Sequence, residues 1–107
     1  MRTDLRRGLT QAIKGKDRIA ISAIRSALAA IDNAEAPSAE HHATTSIAVG
    51  VGSTEVERLH LTDADLRAIV DKEVQQRAEA AEEYERLGRA EQAERLRAEA
   101  DVLRRYK

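Results

Sequence analysis

Residues 62–107 read TDADLRAIVDKEVQQRAEAAEEYERLGRAEQAERLRAEADVLRRYK, and this stretch decides the fold. Thr62 followed three residues later by Asp65 has the form of a capping box, with Asp in place of Glu. Leu66, Ile69, Val70, Val74, Ala81, Tyr84 and Leu87 then recur at helical spacing and form an apolar stripe. Gly88 falls at the position just past a helix end, where a left-handed backbone is needed. A second helix is expected from about Ala90 to Tyr106, with Ala93, Leu96, Ala100 and Leu103 as its packing seam. Acid-to-Arg spacings of four residues support both helices, at Glu73/Arg77, Glu82/Arg86, Glu91/Arg95 and Asp101/Arg105. The stretch therefore predicts two helices joined by a tight glycine turn.

Upstream lies a shorter helical pair. Thr3 or Asp4 can cap a first helix whose Leu5, Leu9, Ala12 and Ile13 share a face, and Gly15 is placed to end it. Asp17 can cap a second helix with Ala20, Ile24, Ala27, Leu28 and Ile31 on its apolar side and Arg18, Ser22, Arg25 and Asp32 on its wet side. Pro37 stops that helix near residues 33–36. Residues 36–61, rich in small and polar types, read as a long loop in which Ser46–Val51 is the one strand-like run. The expected architecture is all-α: one domain over 1–107, with a helical pair (1–35), a loop (36–61) and a helical hairpin (62–107) on which the pair packs.

Composition narrows the class further. There is no Phe, Trp or Cys, so the core must be built from Leu, Ile, Val and Ala, and thiol chemistry and disulfides are excluded. Met1-Arg-Thr-Asp-Leu-Arg-Arg is no secretory leader, and no apolar run approaches the roughly 18 residues of a membrane span. The default reading is a cytoplasmic protein with no cofactor and no membrane association.

No catalytic constellation stands out. His41, His42 and His60 lack metal-ligand spacing and read as solvated residues. Glu79, Glu82, Glu83 and Glu85 lack the Glu-x-x-His partner of a di-metal bundle and read as a charged face. Gly50-Val-Gly-Ser-Thr has no Lys to make it a phosphate loop.

The basic residues are more informative. Net charge is -1, yet residues 1–33 carry seven Lys/Arg against three acids, while residues 62–107 carry ten against twelve. Such a bias can steer a polyanion toward one part of the surface. Lys14, Lys16 and Arg18 surround the first turn, Arg25 follows two turns on, and Arg77 and Arg89 sit on the later pair. With only Tyr84 and Tyr106 as aromatics, any RNA contact would address backbone and shape rather than bases. The competing reading of these cations is ordinary surface charge engaged in local ion pairs.

Three separated motifs carry a resemblance: Ile21-Ser-Ala-Ile-Arg25 through Asn33-Ala-Glu35, Lys72-Glu-Val-Gln-Gln-Arg77, and Tyr84-Glu-Arg-Leu-Gly88-Arg89. In this order they resemble the GatB/YqeY family, as does the ending Ala98-Glu-Ala-Asp-Val-Leu-Arg-Arg-Tyr106; the likeness covers residues 4–35 and 62–106. It implies a helical domain similar to the tail of the B subunit of the glutamine-dependent tRNA amidotransferase, which helps hold tRNA while chemistry occurs elsewhere. The family label, carbon–nitrogen ligase with glutamine as amido-N-donor, belongs with that full enzyme. By this resemblance the chain is expected to be a non-catalytic, tRNA- or RNA-associated module, with Arg25, Arg77 and Arg89 as contacts and Lys14, Lys16 and Arg18 adding attraction. DNA is not expected as a partner; the alternative is a protein-interaction or oligomerisation domain. Against the family pattern two departures are expected: a chain lacking the second, smaller helical domain that family members usually carry beyond this point, and a 36–61 loop longer than the usual connector.

Overall fold

The computed structural model describes residues 1–36 and 60–107, which form four helices: α1 (Arg2–Lys14), α2 (Arg18–Glu35), α3 (Asp63–Arg86) and α4 (Ala90–Arg104). The expected pair and hairpin are both present. Most of the 36–61 loop, with the strand-like run at Ser46–Val51, lies outside the described residues.

Local chemistry accounts for the helix starts. The Asp17 carboxylate accepts from the Ala20 amide at 3.1 Å and caps α2. At Thr62 the capping box is complete: the hydroxyl accepts from the Asp65 amide at 3.1 Å, and the Asp65 carboxylate accepts from the Thr62 amide at 3.0 Å. The first helix differs from expectation. It begins at Arg2 with Met1 as cap, so Thr3 and Asp4 lie inside its first turn, where Asp4 complements the helix dipole. At the end of α2, Ala36 is extended (φ -73, ψ 146), the conformation favoured before a proline.

Both helix pairs turn by the same device. After α3, the Arg89 amide donates to the Tyr84 carbonyl (2.8 Å) and the Gly88 amide to the Glu85 carbonyl (3.0 Å), a Schellman motif with Gly88 at φ +77. After α1, Asp17 donates to Ala12 (2.9 Å) and Lys16 to Ile13 (3.2 Å), the same pattern. Here the left-handed residue is Lys16 (φ 56), while Gly15 remains right-handed at φ -84. The glycine sits one position early, so the turn geometry places a lysine where a glycine would be relaxed.

α2 is the central element and packs against each of the other three helices, whereas α1 packs on α2 alone among helices. Leu5, Ile24, Ile31, Val70 and Leu103 are fully buried, each contributing about 1.5–3 kcal/mol of transfer energy. Ala20, Ala23 and Ala27 line the buried side of α2 and let its neighbours approach closely. Farther out, Ala81 and Ala93 are buried within the hairpin but do not belong to the cluster shared with α1 and α2. Two apolar residues assigned to packing faces turn outward instead: Ile13 is 48% exposed and Leu87 63%. Each lies in the last turn or cap of its helix, beside the Schellman turn.

One close approach crosses from the C-terminal turn to α1. A methyl group on Gly8 would lie 2.0 Å from the Tyr106 hydroxyl, so the bare Gly8 backbone is what lets this ring rest on α1. Arg2 pairs with Glu35 at the open end of the α1–α2 pair, and Lys107 reaches Asp71 at 2.5 Å.

The two Schellman turns predict opposite responses to substitution. Gly88→Ala forces a side chain into the left-handed region and costs about 1 kcal/mol. Lys16→Gly relieves that strain and gains roughly 0.5 kcal/mol after the entropy lost to the freer unfolded chain. Urea unfolding of both variants checks the signs; equal signs would contradict the shared geometry.

Candidate nucleic-acid interface

Arg77 lies on the apolar stripe of α3, between Val74 and Ala81, rather than on its wet side. Its side chain is 12% exposed. The guanidinium donates from Nε to Glu99 Oε1 on α4 at 2.9 Å, and from Nη1 to Glu73 Oε1 at 3.1 Å and the Glu73 carbonyl at 3.2 Å. Ser26 Oγ on α2 donates to the same Glu73 oxygen at 2.6 Å. One cation thus binds two largely buried carboxylates and, through Glu73, joins α2, α3 and α4.

Glu73/Arg77 is the pair expected from the spacing of four. Glu99 and Ser26 were not anticipated. The available signal was position: Glu99 falls three residues after Leu96 and four before Leu103, on the seam of α4, where a charge needs a buried partner.

The other expected pairs form differently. Arg86 takes Glu83 rather than Glu82, Arg104 pairs with Asp101 in place of Arg105, Arg97 crosses the hairpin to Glu85, and Arg95 makes no ion pair with any described residue. Exposed pairs are worth only about 0–1 kcal/mol, so nothing enforces one rotamer over its neighbour. The hydrogen bond that Arg86 donates to the Glu83 carboxylate raises the Arg86 pKa above its ordinary value. That group is charged at any physiological pH either way.

The remaining cations divide by location. In the first helical pair, Arg6, Arg7, Lys14, Lys16, Arg18 and Arg25 are all exposed and make no ion pair with any described residue, whereas Arg2 pairs with Glu35. In the hairpin and its end, Arg77, Arg86, Arg97, Arg104 and Lys107 are engaged, while Arg67, Lys72, Arg89, Arg95 and Arg105 are exposed and make no ion pair with any described residue. Arg18, Ser22 and Arg25 stand on one exposed face of α2 at spacings of four and three. Lys14 and Lys16 flank the turn beneath it, while Arg89 is exposed at the tip of the other hairpin, where its backbone completes the Schellman motif.

None of these six expected contact residues lines the larger clefts. One of about 420 Å³ is bounded by Met1, Asp4, Asp63 and Arg105, one of about 340 Å³ by Gly8, Ile24 and Tyr106, and one of about 390 Å³ by Ile19, Glu91 and Ala98. Among the described residues no three His, Asp or Glu side chains gather as a metal site, and no helix is long and apolar enough to cross a membrane. His60 is exposed; His41, His42 and Gly50 to Thr54 lie outside the described residues.

Removing one member of a buried ionic cluster leaves uncompensated charge behind. Arg77→Met should therefore cost roughly 3 kcal/mol in urea unfolding. Adding Glu99→Met to it should recover at least about 1 kcal/mol, because the stranded carboxylate is gone. Strict additivity of the two losses would contradict the shared cluster.

The family model described as Yqey-like protein matches residues 2–107. Searches of curated proteins and of solved structures each return no match. A match over nearly every residue, on a fold of two helical pairs, places this chain in the YqeY-like protein family.

Proposed function

We propose that this YqeY-like chain is a non-catalytic helical module that associates with RNA, tRNA foremost, through the α1–α2 pair. The observation that carries the reading is the cluster of exposed cations on the first pair. Six of its seven Lys and Arg residues, Arg6, Arg7, Lys14, Lys16, Arg18 and Arg25, are exposed with no ion pair to a described residue, against five of ten in the hairpin. Exposed guanidinium and ammonium groups suit phosphate oxygens, and guanidinium groups can engage them through two parallel hydrogen bonds. Arg25 and Arg18 act together on one face of α2, with Lys14 and Lys16 adjoining and Arg89 a separate contact at the hairpin tip. Arg77 enters differently: its donors are taken up by Glu73 and Glu99, so its part in binding is to hold the helix that carries Arg25. The family relation to the amidotransferase tail supports the same partner, and the ligase label attaches to that larger enzyme rather than to this chain.

A second reading rests on Ile13 and Leu87, two large apolar side chains left exposed at helix ends. They suit a protein partner or self-association, which a solution mass measurement would reveal.

Fluorescence anisotropy with bulk tRNA tests the first reading. With about four phosphate contacts, affinity should fall roughly 100-fold between about 50 and 200 mM salt. Arg18→Glu with Arg25→Glu should abolish binding while circular dichroism stays helical. Salt-insensitive binding, or none, would sink the reading.

A further inference from the structure

The same cations say what form of RNA they fit. We infer that the α1–α2 face selects double-helical RNA over single strands, an inference that rests on the RNA reading above and narrows it. Two observations carry it. The first is shape: Arg6, Arg7, Lys14, Lys16, Arg18 and Arg25 are spread over the outward sides of two helices and the turn between them, and none lines any of the clefts at Met1, Gly8 or Ile19. Proteins that hold single strands run the flexible backbone along a positively charged groove. An open surface offers no such track, and an unstructured strand would lose conformational freedom on it without being enclosed.

The second is the absence of a stacking platform. Residues 1–36 contain no aromatic side chain. The ring nearest to them, Tyr106, is half-buried with its hydroxyl over the Gly8 backbone, and Tyr84 is half-buried on α3. Base stacking on aromatics supplies about 1–3 kcal/mol per base to single-strand binding, and this face cannot draw on that source. What it offers is fixed positive charge at helical spacing: Arg18 and Arg25, seven residues apart, stand about 10 Å apart along the axis. A rigid duplex already holds its phosphates in register and loses little freedom on meeting them. It also presents a denser charge, so each phosphate neutralised releases more counterion, about 0.9 against about 0.7 for a single strand.

The test compares two probes with the full chain: an RNA hairpin with a stem of about 16 base pairs, and poly(U) of equal phosphate count. Anisotropy titrations at about 50 and 200 mM salt should show the hairpin bound at least tenfold more tightly, with the steeper salt dependence. Arg18→Ala with Arg25→Ala should lower the hairpin salt slope by about two, with the helical circular dichroism retained. Equal or tighter binding to poly(U) overturns duplex selection while leaving RNA association standing. An unchanged slope in the double variant overturns the α2 face as its seat. No salt-sensitive binding to either probe removes the RNA reading itself and this inference with it.

Discussion

The contact on which the rest depends is Arg77 held between Glu73 and Glu99. Its guanidinium bridges α3 to α4, and Glu73 extends the chain of hydrogen bonds to Ser26 on α2. An alanine-rich core excludes water well but specifies register poorly, because small residues offer few interlocking shapes. Four polar side chains that must meet at 2.6–3.1 Å are far less tolerant of a slip. A shift of one helical turn between α2 and the hairpin would leave Glu73 or Glu99 buried without its partners, a penalty larger than the gain from any single core alanine. The cluster thus sets the angle at which α2 presents Arg18 and Arg25 to solvent.

Charge in this molecule is used in two ways, in different proportions by segment. Along the hairpin half of the cations are structural: Arg77, Arg86, Arg97, Arg104 and Lys107 close on acids within the same helix or across to another element. On the first pair Arg6, Arg7, Lys14, Lys16, Arg18 and Arg25 stay exposed and make no ion pair with a described residue. The two Schellman turns serve this arrangement. Each is short, and each keeps its helices antiparallel while placing basic residues at the bend, with Lys14 and Lys16 at one and Arg89 at the other.

The features legible in the sequence were those set by neighbours along the chain. The caps at Asp17 and Thr62, the left-handed Gly88 and the Glu73/Arg77 pair all depend on residues within four positions, and all are found as expected. Where two local solutions were nearly equal, the reading went astray. Gly15 ends α1 as expected, but the hydrogen bonds fall so that Lys16, not the glycine, bears the positive φ. Arg86 had Glu82 and Glu83 both in reach and took the nearer turn. What could not be read is the meeting of Arg77 with Glu99, 22 residues away, or of Gly8 with Tyr106. These depend on how the helices cross. Charges on apolar seams and a glycine inside a helix were the traces they left. The exposed face of α2 was legible because period 3.6 sorts Arg18, Ser22 and Arg25 from Ala20, Ile24 and Ala27 without tertiary information.

The central claim is that the cations of α1–α2 face a partner while Arg77 faces inward. Residue-resolved NMR on the labelled chain titrated with tRNA tests it most directly. The account predicts salt-reversible shifts of amides across residues 14–25, with the Arg77 Nε–H resonance protected from solvent exchange and unmoved. Shifts confined to α3 and α4, or an Arg77 Nε–H that exchanges freely and moves with the RNA, would contradict it.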